Sequence, residues 1–141
     1  MTLLGPMIPG ETPIDDVSGL KVKGITTRAE FNLFEAANIE KVVAKYLTVR
    51  PSRRSAKFTF AWCLKLHKEM FGEVWDWAGI PRVRELNIGI ASHSIPENLA
   101  ILLEDLESWP GFGMDFVEQA ARLHHRAVHI HPFQNGNGRW S

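Results

Sequence analysis

Apolar residues recur at helical spacing along most of this chain, and capping residues mark where the stretches begin and end. Thr27 and Glu30 form a capping box, which predicts a first helix over residues 28–47. A second helix is predicted over residues 55–71, with Gly72 as its stop. The apolar stripes of these two helices are Phe31, Phe34, Ile39, Val42, Val43 and Tyr46, and Phe58, Trp62, Leu66 and Met70.

Two further helices are predicted in the second half of the chain. The third is entered at Pro96 and ends before Pro110 and Gly111. The fourth starts at Asp115 and Glu118 and leads towards the C-terminus. Their apolar stripes are Leu99, Leu102, Leu103, Leu106 and Trp109, and Phe116, Ala120, Leu123 and Val128. The pattern as a whole predicts an all-α fold.

Two segments interrupt the helical pattern. In residues 1–24, prolines and glycines break any period, which predicts an extended N-terminal arm. Residues 81–95 carry β-branched and other apolar residues around Asn87 and Gly89, which permit a turn. We therefore expect a short β-hairpin between the second and third helices.

Composition narrows the possible partners. A chain of 141 residues with 45% apolar and 23% charged residues is expected to form one domain with an ordinary core. Sixteen basic and sixteen acidic residues cancel, which disfavours direct binding to nucleic acid. Cys63 is the single cysteine, as is typical of a reducing compartment. With no signal peptide or membrane-length apolar run, the sequence predicts a cytoplasmic protein that does not bind membranes.

The last eleven residues, His-Pro-Phe-Gln-Asn-Gly-Asn-Gly-Arg-Trp-Ser, carry the candidate chemistry. His131 can accept a proton near neutral pH. Gly136 and Gly138 let the backbone turn sharply and direct several N–H groups into one concavity, which favours an anion. Arg139 adds a planar set of donors suited to phosphate oxygens. This combination predicts chemistry on a phosphoryl group.

This segment resembles the signature of the Fic family, H-x-F-x-[D/E]-G-N-G-R-x-x-R. His131, Phe133 and residues 136–139 match it. Residues 66–79 are similar to the family's LH..MFG.VW.WAG stretch. Three shorter segments resemble the branch called mobile mystery protein B: residues 12–15, 25–30 and 86–89. The resemblance implies that residues 25–141 form a Fic domain, a helical bundle with a short β-hairpin flap.

The family resemblance also implies an activity, the transfer of AMP from ATP to a Ser, Thr or Tyr hydroxyl of a target protein. His131 would then be the general base. The backbone N–H groups of Gly136, Asn137 and Gly138 would form an anion hole, with the Asn137 side-chain amide as an additional donor. Arg139 would neutralise charge on the nucleotide phosphates. Phe133 is expected to anchor the loop in the core.

The flap implied by the resemblance would hold the target segment by strand addition. Its central residues here are Leu86, Asn87, Ile88 and Gly89. Fic proteins of this branch occur in bacteria, often beside a small DNA-binding protein. The implied partners are thus a hydroxyl-bearing target protein and a small inhibitor or DNA-binding protein, in the bacterial cytoplasm.

The chain departs from the family signature at two positions. Asn135 stands in the acidic slot, where a carboxylate ordinarily helps to hold Mg²⁺, and its neutral oxygen is a weaker ligand. The final Arg of the signature would fall one position beyond Ser141. We therefore expect the domain to be incomplete at the C-terminus, without room for a helical turn starting at Gly138.

Several alternatives stay open at this point. The anion hole also fits another phosphate donor, a kinase, or removal of AMP from a protein. Asn135 and the chain end also fit a catalytically silent module that binds nucleotide or peptide. Some Fic proteins are inhibited by a glutamate in a [S/T]-x-x-x-E-[G/N] helix, for which Glu30 and Glu35 are candidates here. Capping explains Thr27 and Glu30 more simply, because Phe31 departs from that motif.

Overall fold

The computed structural model describes residue 14 and residues 16–141, so most of the predicted arm lies outside the described residues. The described part is a bundle of five helices with short 3₁₀ turns on either side of α3. The helices are α1 (Arg28–Leu47), α2 (Phe60–Phe71), α3 (Ile95–Ser108), α4 (Phe116–Ile130) and α5 (Asn137–Trp140). None of the helices in these ranges is long and apolar enough to cross a membrane.

Helix α1 has the predicted bounds, but it buries a different face. The capping box of Thr27 and Glu30 is present. Phe34 and Val43 are nearly half exposed, so the prediction that they face the core was wrong. Asn38 is buried instead, because its side chain donates to the Glu69 carbonyl at 2.8 Å and accepts from the Glu73 N–H at 3.1 Å. A buried polar side chain is tolerated when it is hydrogen-bonded in this way.

Helix α2 begins five residues later than predicted. Phe58 has a left-handed φ of 49°, which a helix cannot contain. Thr59 then caps the helix, since its hydroxyl accepts the Trp62 N–H at 3.2 Å. Residues before it form a turn in which the Ser52 N–H donates to Ser55 Oγ at 3.0 Å. Hydroxyl groups therefore divert this segment from the helix that its composition allows.

Helices α3 and α4 pack against each other. The predicted stripe of α3 is confirmed at Leu99 and Leu102, which are fully buried. Asp115 caps α4 as predicted, accepting the Glu118 N–H at 2.9 Å. The predicted stripe of α4 was wrong at its start, because Phe116 is 86% exposed. The buried face of α4 comprises Gln119, Ala127 and Ile130.

The segment between α2 and α3 adopts no strand where the hairpin is predicted. We refer to residues 83–91 as the flap segment. Its two arms are joined through side chains, since Ser92 Oγ donates to the Val83 carbonyl at 3.0 Å and the Ser92 N–H donates to the Glu85 carboxylate at 2.9 Å. The one β-bridge of the described residues is elsewhere, between Leu20 and Trp75.

Candidate active site

His131 ends α4 in a left-handed conformation, with φ 53° and ψ 60°. Such a conformation is uncommon for a residue with a side chain. The residue is only 4% exposed, and neither ring nitrogen has a hydrogen-bond partner among the described residues. Burial is the main cause that lowers the pKa of the His131 imidazole, and the Arg82 cation adds to it, whereas the Val128 backbone acts in the opposite sense. Burial therefore favours the neutral imidazole, which is the form that can accept a proton.

The loop after His131 is closed by one side chain. The Phe133 N–H donates to Asn137 Oδ1 at 2.9 Å, and Asn137 Nδ2 donates to the Phe133 carbonyl at 2.9 Å. Both residues are buried. The Asn137 side-chain oxygen and one of its two amide hydrogens are thus engaged within the loop. Phe133 is fully buried and stacks on His67 with ring centroids 3.6 Å apart, as expected for a core anchor.

His67 of α2 fixes the loop from behind. Its Nδ1 accepts the Gly79 N–H at 2.9 Å, so Nε2 carries the proton and donates to the Asn135 carbonyl at 3.0 Å. Burial lowers the pKa of His67 to about 4, which keeps this neutral tautomer in place. No spacing rule in the sequence links His67 to the loop, because Asn135 lies 68 residues further along the chain.

Gly136 is required by its surroundings. Its φ is 79°, and a Cβ atom there would lie 2.6 Å from Phe71 Cζ. After it, α5 forms one helical turn, so the expectation that no turn would fit was wrong. Trp140 supplies the reason, since its indole donates to the Cys63 carbonyl at 3.0 Å and its ring meets Phe133 edge-on. Tertiary packing therefore stabilises a turn that would not persist alone.

We refer to residues 131–139 as the signature loop. The predicted anion hole opens into a cavity of about 710 Å³ between the signature loop and α1. The Gly136 N–H is not available in this state, because it donates to Asn135 Oδ1 at 2.6 Å. Within the described chain, the N–H groups of Asn137 and Gly138 have no acceptor. His131 lines the same cavity. The structure thus brings a proton acceptor and two free donors to one space.

Arg139 reaches across this cavity to α1. Its guanidinium is paired with the Glu35 carboxylate and lies 4.9 Å from the centre of the Phe71 ring. Glu35 is 1% exposed and also accepts the Trp75 indole N–H at 2.8 Å. The sequence names Glu35 only as a candidate inhibitory residue. Its pairing with Arg139 depends on the packing of both α1 and α5 against α2.

The flap segment lies beside His131. Leu86, Asn87 and Ile88 line a groove of about 350 Å³ that also includes Trp77 and Asn135. Gly89 has φ 92°, and a Cβ atom there would lie 2.6 Å from His131 Cβ. The four predicted flap residues are therefore brought to the edge of the site, although they form no strand.

Arg82 also lies near the site, and the sequence did not identify it. It is 5% exposed, and its Nε donates to the His131 carbonyl at 2.7 Å. Arg82 belongs to no recognisable sequence motif, so nothing in the sequence distinguished it from the other basic residues. A buried arginine is recognisable only when the carbonyl groups that surround it are known.

The arrangement defines a class of protein, a helical bundle in which a buried neutral histidine and a G-N-G-R loop share one cavity. A family model described as "Fic/DOC family" matches residues 57–141. Protein adenylyltransferase Fic of Aedes aegypti is 32% identical over 103 residues, which cover 69% of this chain and 20% of that protein. The protein of the same name from Drosophila virilis is 36% identical over 84 residues, which cover 55% of this chain and 17% of that protein. The chain belongs to the Fic/DOC family.

Solved structures agree with this assignment of fold. The N-terminal Fic domain of an effector protein from Bartonella sp. AR 15-3 superposes with a TM-score of 0.67 at 25% identity, covering 94% of this chain and 66% of that chain. BepC of Bartonella tribocorum, solved with bound AMPPNP, gives a TM-score of 0.67 at 22% identity. The superposition covers 88% of this chain and 69% of that chain. The insect relatives are much longer proteins, of which this chain spans only 20% or less.

Proposed function

We propose that this protein transfers AMP from ATP to a hydroxyl group of a target protein. One observation carries the proposal: His131 lines the same cavity as the free N–H groups of Asn137 and Gly138. The relatives named protein adenylyltransferase and the AMPPNP bound to BepC support a nucleotide as the occupant. Assignment to the mobile mystery protein B branch stays a prediction.

The chemistry follows from these positions. His131 accepts the proton of the target hydroxyl. The oxygen of that hydroxyl attacks the α-phosphorus of ATP, and pyrophosphate leaves. The N–H groups of Asn137 and Gly138 stabilise the negative charge that develops on the phosphate. Arg139 leaves its ion pair with Glu35 and pairs with the nucleotide phosphates, whose negative charge it neutralises. Because the pKa of His131 is lowered, the acid limb of kcat/KM should lie below pH 6.5.

The residues present do not by themselves fit a resident Mg²⁺ site. Asn135 offers one neutral oxygen, and this oxygen already accepts the Gly136 N–H. The Glu35 carboxylate is held by Trp75 and Arg139. Among the described residues, no cluster of three potential metal ligands occurs. Magnesium is therefore expected to arrive with the nucleotide, bound mainly to its phosphates.

The groove beside the flap segment is the proposed docking site for the target, through Leu86, Asn87, Ile88 and Gly89. Its apolar side chains and unpaired backbone groups suit an extended peptide. A small inhibitor or DNA-binding partner protein and a bacterial cytoplasmic location are further parts of the proposal, supported by the sequence resemblance.

The test is transfer of label from α-³²P-ATP with Mg²⁺ to proteins of a bacterial lysate. His131→Ala should reduce labelling by about 10² to 10⁴. His129→Ala is the matched control, because His129 is exposed on the same helix and should leave labelling unchanged. Label from γ-³²P-ATP instead would indicate a kinase. Nucleotide binding measured by calorimetry, with no transfer from any donor, would replace the proposal with a silent binding module.

A further inference from the structure

Arg82 connects three separate carbonyl groups around the catalytic loop. Its Nε donates to His131 O at 2.7 Å, one terminal nitrogen donates to Arg84 O at 2.9 Å, and the other donates to Ile90 O. Arg84 and Ile90 lie on the outgoing and returning arms of the flap segment. One buried guanidinium thus holds both arms and the backbone of His131.

This arrangement accounts for the missing hairpin. A hairpin would pair the two arms directly through backbone groups. Here the Arg84 and Ile90 carbonyls are occupied by Arg82, and the rest of the closure comes from Ser92 with Glu85 and Val83. The flap segment therefore takes its shape from a side chain that also contacts the active site.

The same guanidinium acts on the strained backbone of His131. A left-handed conformation in a residue with a side chain persists only when its surroundings fix it. The backbone of the same region is held on both sides, because the Arg82 N–H donates to the Pro132 carbonyl at 2.9 Å and the Ile90 N–H donates to the Ile130 carbonyl. Gly89 lies directly against the His131 side chain, where a Cβ atom would not fit.

We propose that Arg82 is a positioning residue that couples the flap segment to the orientation of His131. A target peptide docked along the flap segment would then also fix the catalytic imidazole. The role in catalysis rests on the proposed function, whereas the coupling itself is a property of the fold. Lysine cannot replace arginine here, because a single ammonium does not present the fixed fork that reaches three carbonyls.

The coupling is tested by NMR of the full chain labelled with ¹⁵N-histidine. Arg82→Lys and Arg82→Gln should shift or broaden the His131 ring signals, while Arg84→Gln, at an exposed neighbour on the same segment, should not. Ser92→Ala loosens the base of the flap segment without contacting His131, and it should move the same signals by a smaller amount. Unchanged His131 signals in Arg82→Lys and Ser92→Ala would overturn the coupling, even if Arg82→Gln fails to fold.

Transfer kinetics separate positioning from general stability. Arg82→Lys should lower kcat by about ten- to a hundredfold, as expected for a misplaced catalytic group. Its nucleotide Kd, measured by calorimetry, should stay within about twofold, because Arg82 does not line the nucleotide cavity. Full activity in Arg82→Lys would overturn the inference and leave the proposed function standing. If the wild type transfers nothing yet its His131 signals depend on Arg82, the proposed function fails and the coupling stands.

Discussion

The signature loop and the flap segment face the same histidine, yet they are built in opposite ways. Within the signature loop, Phe133 is fully buried and Asn137 is 2% exposed, and their backbone and side-chain groups satisfy one another. Within the flap segment, Val83 is 87% exposed and Ile88 is 43% exposed. Neither region has strands, and only the end of the signature loop is helical, in the single turn of α5.

The difference follows from where each region finds its partners. The loop rests on α2 through His67, Phe71 and Cys63, all of which are buried. The flap segment depends on Arg82 and on the half-buried Ser92. A site that stabilises developing charge benefits from donors fixed in advance. The flap segment, the proposed docking surface, has fewer buried partners and is therefore expected to be the looser of the two.

The largest effect is expected at Gly136, where the loop is tightest. Gly136→Ala should cost about 3 kcal/mol, because a left-handed φ disfavours any side chain and the new methyl group meets the Phe71 ring. Urea unfolding would measure this loss. Gly138→Ala is the matched control, since a Cβ atom there has no neighbour within 4 Å. Equal stability of the two variants would contradict the account of the loop.

The buried support of the loop should give stability a pH dependence. The unfolded chain protonates His67 near pH 6.5, whereas the folded chain does so near pH 4, so stability falls as the pH drops through this window. The difference corresponds to about 3 kcal/mol. His67→Gln can make both hydrogen bonds without titrating, and its stability should be flatter between pH 7 and 4. Parallel pH profiles of wild type and variant would refute this.

The pair between Arg139 and Glu35 should compete with nucleotide. Glu35→Gln keeps an acceptor for the Trp75 indole but releases Arg139, so ATP should bind roughly tenfold more tightly. Isothermal calorimetry with Mg-ATP measures the change. Glu40→Gln is the control, because Glu40 lines the same cavity and forms no ion pair with any described residue. Weaker binding in Glu35→Gln would show that the carboxylate assists the site.

The smallest effect is expected in the flap segment. Val83→Ser removes an exposed apolar side chain and should change stability by less than about 0.5 kcal/mol. Hydrogen exchange sharpens the contrast, since the flap amides should exchange much faster than those of Phe133 and Trp140. Comparable protection in the two regions would mean that the flap segment is as firmly held as the loop.

Much of the fold could be predicted from the sequence, with errors that have a common origin. The capping boundaries of α1 and α4 were correct because the interaction of a cap with the next three residues is local. The buried faces were partly wrong because Glu35 and Asn38 are buried polar residues and Phe116 is an exposed apolar one. Periodicity assumes that apolar residues point inwards, and hydrogen bonds between distant segments override that assumption.

The sequence by itself determined α1, α3 and α4, the caps of α1 and α4, and the His131 to Arg139 signature, since each depends on residues close together in the chain. Only the tertiary structure decided which groups surround that signature. His67 orients the loop, Glu35 pairs with Arg139 and Arg82 holds the flap segment to His131. These contacts join residues far apart along the chain, and their free energy depends on burial and on hydrogen-bond geometry that no local pattern encodes.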